Sequence, residues 1–132
     1  MNSRIHSSTG DLVYLVEDNI LRRCVLEIPR GISEYYYCMI DKKYNCMRLK
    51  YPPHITILRT KVEGQILVKD LSLFRKFSKM NFSYDHKVYS THNRFYLDAW
   101  SEDIENLRVE LGLGPFREGF DRYHISIART VY

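Results

Sequence analysis

The chain has 132 residues, 45% hydrophobic and 27% charged, the profile of a single globular domain, 1–132, with a core of its own. No apolar run nears the roughly 18 residues of a membrane-spanning helix, and the polar start MNSRIHSSTG lacks a secretory apolar stretch, so the expected setting is the cytoplasm with no membrane partner. A net charge of +4 favours anionic partners, while Cys24, Cys38 and Cys46 form no CxxC pair and read as free buried thiols rather than a zinc site.

In chain order, DLVYLV (11–16) and RCVLEI (23–28) read as strands. Residues 30–43 carry Ile32, Tyr35, Tyr36 and Met39 at i, i+3, i+4, i+7, which predicts a helix burying that stripe. Pro52-Pro53 cannot sit inside a helix and leads into the β-rich HITILRT (54–60). Asp70 suits the start of a short helix whose Leu71, Phe74 and Phe77 recur every third residue. NFSYDHKVYS (81–90) and RFYLDAW (94–100) alternate around THN as a hairpin. Ser101, with Glu102 and Asp103, suits the start of a second long helix, striped by Ile104, Leu107 and Leu111 and ended by Gly112. GLGPFREGF (112–120) lacks the pattern of a phosphate-binding loop; its three glycines suit a mobile loop over a cleft, but a plain connection is the preferred reading, and YHISIART (123–130) is the last strand.

The two halves rhyme. VLEI, helix, loop and HITIL correspond to FYLDAW, helix, loop and HISIA, with 28 residues from Leu26 to His54 and 25 from Ala99 to His124. The expected fold class is therefore α+β, built as two β-α-β lobes with antiparallel-rich sheets and helices packed outside.

In a strand, positions i and i+2 share a face. His54 then points with Thr56, and His124 with Ser126, while Ile55, Ile57, Ile125 and Ile127 anchor the strands from the opposite side. Two imidazoles and two hydroxyls facing one cleft suit attack on a phosphodiester. One neutral His accepts a proton from the nucleophile, and the other, protonated, gives one to the leaving oxygen. The hydroxyls donate to phosphoryl oxygens as charge builds there. Such chemistry needs neither metal nor cofactor. His6, His86 and His92 share no such pattern and read as structural or surface residues.

With both motifs identified, the chain resembles the 2H phosphoesterase superfamily, whose signature is two His-x-Ser/Thr motifs flanked by apolar residues; HITI (54–57) and HISI (124–127) fit it. The resemblance implies a bilobal fold around a central cleft, with His54 and His124 as the catalytic acid-base pair and Thr56 and Ser126 holding the phosphate. It also implies metal-independent cleavage of a phosphodiester in a small nucleotide or short oligonucleotide. The chain's size is similar to that of compact viral members, including phage anti-CBASS nucleases. A cyclic oligonucleotide immune messenger in a host cytosol is then the foremost substrate. RNA 2′,3′-cyclic phosphates and 2′,5′-oligoadenylate are alternatives, as is a nucleotide- or RNA-binding module without chemistry. Only Ile127 to Tyr132 follow the second motif, so gripping residues found there in some relatives are expected to be absent or replaced.

Tyr14, Tyr51, Tyr123 and Trp100 are candidate base-stacking residues, though Trp100, ending a strand just before a helix, also suits packing. Arg122 and Arg129 flank the second motif, and Lys50 and Arg59 the first, as candidate phosphate partners.

Overall fold

Why the chain makes so much antiparallel sheet is visible first in its turns. Asp18 and Asn19 both take positive φ, 53° and 63°, the geometry that short Asx side chains tolerate in a tight hairpin. They join β1 (Ile5–Glu17) to β2 (Ile20–Glu27). Residues 4–131 are described by the structure, a computed structural model. The remaining elements are α1 (Arg30–Lys43), β3 (Cys46–Arg48), β4 (His54–Thr56), α2 (Thr60–Glu63), α3 (Ser72–Lys76), β5 (Lys79–Ser90), β6 (Arg94–Trp100), α4 (Glu102–Glu110) and β7 (Tyr123–Thr130).

The fold is α+β, and every strand pairing is antiparallel. All seven strands belong to one sheet, in the order β3-β7-β4-β2-β1-β5-β6, and β6 pairs with β7 as well. Six strands thus form a closed circuit. Exchanging β1, β2 and β4 for β5, β6 and β7 leaves that order unchanged, which is the structural counterpart of the rhyme. Where the sequence suggests separate sheets, the β1–β5 and β4–β7 pairings join the halves into one.

Helix α4 starts where Ser101 Oγ accepts from the Ile104 N–H at 3.1 Å and donates to the Asn81 carbonyl at 2.7 Å. Glu102, Asp103 and Glu105 complement its positive end. Helix α1 has no side-chain cap but ends on Lys42 and Lys43. The core gathers Leu26 and Leu97, Ile55 and Ile125, Ile104 and Leu107, all at 0% exposure. Each such side chain contributes about 1.5–3 kcal/mol relative to exposure.

At Gly10 an added Cβ would sit 2.5 Å from the Glu27 carbonyl oxygen, so only glycine lets β1 pass this close to the end of β2. Among the described residues, no helix is long and apolar enough to cross a membrane.

Several expectations change. Strand β1 starts at Ile5 and uses the polar Ser-Ser-Thr run to pair with β5. The stretch 54–60 is strand only through Thr56, and Thr60 already begins α2. The buried face of α1 is Tyr36 and Ile40; Tyr35 and Met39 are exposed, because the stripe follows the i, i+4 row rather than i+3. Strand β3 carries only three residues on the edge of β7. Cys24 and Cys46 are buried free thiols, but Cys38 is exposed.

Candidate functional site

Strands β4 and β7 meet at a single pair, Ile55 opposite Ile125. Their antiparallel sense sets His54 beside Ser126 and Thr56 beside His124, all on the face opposite the two buried isoleucines. The flanking strands extend both rows. Glu27 and Val25 on β2 stand opposite His54 and Thr56; Asp98 and Tyr96 on β6 stand opposite His124 and Ser126. Two rows of side chains therefore cross four strands, one reading Glu27–His54–Ser126–Tyr96, the other Val25–Thr56–His124–Asp98.

All four motif side chains line one cavity of about 780 Å³. Tyr51, Tyr96 and Phe120 supply its rings, and Arg23, Arg59, Arg94, Arg117 and Arg122 its charge; among the described residues no carboxylate lines it.

The two histidines sit in different environments. His54 Nδ1 lies 2.9 Å from the Pro52 carbonyl. A carbonyl can only accept, so Nδ1 carries the hydrogen and the lone pair of the neutral ring is on Nε2. His124 Nε2 lies 3.5 Å from Oδ1 of buried Asp98, whose other oxygen accepts from Arg122 Nη1 at 3.1 Å. Tyr96 meets the His124 ring edge-on at 4.7 Å.

Burial lowers the His124 pKa from 6.5, Asp98 resists this, and Arg117 and Arg122 add to it. A depressed folded pKa means that stability is complete above the unfolded value and is lost as pH falls through it, since the unfolded chain then takes a proton that the folded one resists. Wild-type Tm is therefore expected to fall more steeply than that of His124→Gln between about pH 7.5 and 5.5. Parallel slopes in paired thermal melts would contradict this environment.

The substrate-binding candidates divide. Tyr51 lines the cavity and is well exposed, and Arg122 lines it while held by Asp121 and Asp98. Tyr123 also touches the cavity, but its ring is buried against Phe116 and its hydroxyl donates to the Pro115 carbonyl, so it anchors a loop instead of offering a stacking face. Tyr14 is not in the cleft. Its pairing with Cys24 turns it to the opposite face, where it stacks on Phe74 at 4.4 Å. Trp100 is not in the lining either; it sits with the Arg122 guanidinium 5.8 Å from its ring centroid.

Arg59 lines the cavity, whereas Lys50 and Arg129 do not. His6 and His86 face each other at 3.1 Å on the exterior, far along β1 and β5 from the motifs.

Sequence reasoning missed Tyr96, Phe120, Arg23, Arg94 and Arg117. The signal for Tyr96 was present, since it shares a strand face with Asp98 in RFYLDAW. Arg117 and Phe120 belong to the 112–120 segment, read as a plain connection in preference to a loop over the cleft. That segment is fastened by Arg108 Nε donating to the Gly114 carbonyl at 2.8 Å and by Tyr123 at Pro115. Among the described residues, no three His, Cys, Asp or Glu side chains gather as a metal site requires. No protein-family model, curated protein or solved structure matches the chain.

Proposed function

We infer that the protein is a metal-independent phosphodiesterase of the 2H type, bilobal in the sense of its two exchangeable halves. It cleaves a small nucleotide, foremost a cyclic oligonucleotide messenger. The observation that carries this is the gathering of both His-x-Ser/Thr pairs in one arginine-rich cavity about the Ile55–Ile125 pair. Its volume falls in the few-hundred to about 1,000 Å³ range of small-molecule sites.

The chemistry follows from the two environments. His54, fixed by the Pro52 carbonyl with its lone pair on Nε2, is the base that takes the proton of the attacking hydroxyl or water. His124 is the acid. Neutral in the free protein, it gains a proton when a bound phosphate offsets Arg117 and Arg122, and Asp98 stabilises the imidazolium. It then protonates the leaving oxygen. Thr56 and Ser126, one in each row, donate to the non-bridging oxygens.

The test is a panel of 2′,3′-cyclic mononucleotides, 2′,5′-oligoadenylate and cyclic di- and trinucleotides, incubated with and without EDTA and read by chromatography. Cleavage of at least one class, unchanged by EDTA, is expected. Loss of cleavage with EDTA overturns the metal-independent mechanism. Binding without product identifies a nucleotide-binding module instead.

A further inference from the structure

The charge of the cavity is distributed unevenly. Continuing the strands beyond Thr56 and ahead of His124 leads to one end of the cleft. Arg59 enters there just after β4, and Arg122 just before β7. Arg23, two residues along β2 from Val25, points to the same end, and Arg94 stands two residues beyond Tyr96 toward the other. Arg117 belongs with the crowded end: its guanidinium lies 4.7 Å from the Phe120 ring centroid, and that ring lies 6.0 Å from the His124 ring.

The carboxylates near this end are already committed. Arg122 is paired with Asp121 and Asp98. Glu63 is held by buried Arg108, which grips both its oxygens, and it also accepts from the Arg59 backbone N–H at 3.0 Å. That leaves the guanidinium groups of Arg23, Arg59 and Arg117 with no ion-pair partner among the described residues. Arg117 is half-buried and packs against the Phe120 ring at the cavity wall. Burial, then Arg59, then Arg108 all disfavour its charge, with only Glu63 opposing. Like charges concentrated in a concave site raise the local potential, and a bound anion relieves it. Guanidinium groups are suited to phosphate because their fork bonds two oxygens at once.

One phosphate is already provided for by the two motifs. We propose that Arg59 and Arg117, backed by Arg23, form a second phosphate subsite beside the motif pair, so that the substrate class is a nucleotide carrying at least two phosphate groups. This rests on the phosphodiesterase reading for the identity of the first phosphate, but the subsite is tested without turnover. A mononucleoside 2′,3′-cyclic phosphate would leave it empty; an oligonucleotide, cyclic or linear, would fill it.

Calorimetry with adenosine 3′,5′-bisphosphate and adenosine 5′-monophosphate reads the subsite directly. The bisphosphate is expected to bind wild type at least about tenfold more tightly, the fold-change of one charged hydrogen-bonded contact, and the advantage should shrink as salt rises. In Arg59→Gln/Arg117→Gln the advantage should fall below about threefold, the bisphosphate losing more affinity than the monophosphate. Equal affinity for the two ligands in wild type, or equal weakening of both in the variant, overturns the proposal. A retained bisphosphate preference in a protein that cleaves nothing in the panel would refute catalysis and leave the subsite standing.

Discussion

Replacing either His54 or His124 by alanine is expected to lower turnover of whichever panel substrate is cleaved by about 10²–10⁴-fold, the usual contribution of one positioned acid or base. Neither change should lower Tm by more than a few degrees. Both imidazoles are half-exposed at the cavity, whereas Ile55 and Ile125, which hold the same strands, are fully buried and untouched. The two losses should also be strongly non-additive, because one proton transfer is of little use without the other. The measurement is kcat on the single and double variants beside a thermal melt. A variant that melts like wild type and turns over within threefold of it would remove that histidine from the mechanism.

Arg108→Met should be the most destabilising substitution near the site, at about 3–5 kcal/mol, with a Tm loss of roughly 10–15 °C. Arg108 is 1% exposed and uses Nε on the Gly114 carbonyl, Nη1 on the Ile57 carbonyl at 2.7 Å, and both terminal nitrogens on Glu63. Burial opposes ionisation of Glu63, yet bonds from Arg108 keep its pKa below the ordinary carboxylate value. Methionine fills the space but leaves that carboxylate with only the Arg59 backbone N–H and takes the guanidinium donor from the Ile57 and Gly114 carbonyls. Adding Glu63→Gln should restore part of the loss, since a neutral amide is cheaper to leave unpaired. Chemical denaturation of the single and double variants checks both numbers. A single-variant loss under about 1 kcal/mol would mean that the pair contributes little to the fold.

The parts of this molecule that were legible in the sequence are those governed by neighbours close in the chain. Alternation alone puts Ile55 and Ile125 opposite His54 and His124 in direction, and Ser101 marks the start of α4 by its own bond to the Ile104 N–H. The hairpin of β5 and β6 is likewise local. What was not legible depends on register between distant strands. Tyr14 is as aromatic as Tyr96, but pairing with Cys24 turns one away from the cavity and pairing with Ser126 turns the other toward it. Ile5 to Gly10 is too polar to read as strand until β5 lies beside it. Arg117 stands in a segment without periodicity, and only its fastening at Gly114 and Pro115 brings it to the wall of the cleft. In α1 the helix itself was legible, yet which flank of it is buried was decided by packing, which chose Ile40 over Met39.

The one contact between β4 and β7 has a kinetic meaning. Ile55 and Ile125 stand 70 positions apart (125 − 55), and the other junctions between the halves, Ser8 with Phe82 and Met47 with Arg129, span 74 (82 − 8) and 82 (129 − 47). Each hairpin can zip from its own turn, but these junctions need long loops to close first, which makes them slow to form and dependent on one another. The candidate site is lodged at the slower kind of contact. Half a molecule, however well folded, holds one motif histidine and one motif hydroxyl, so the proposed activity would arrive only when the last seam closes.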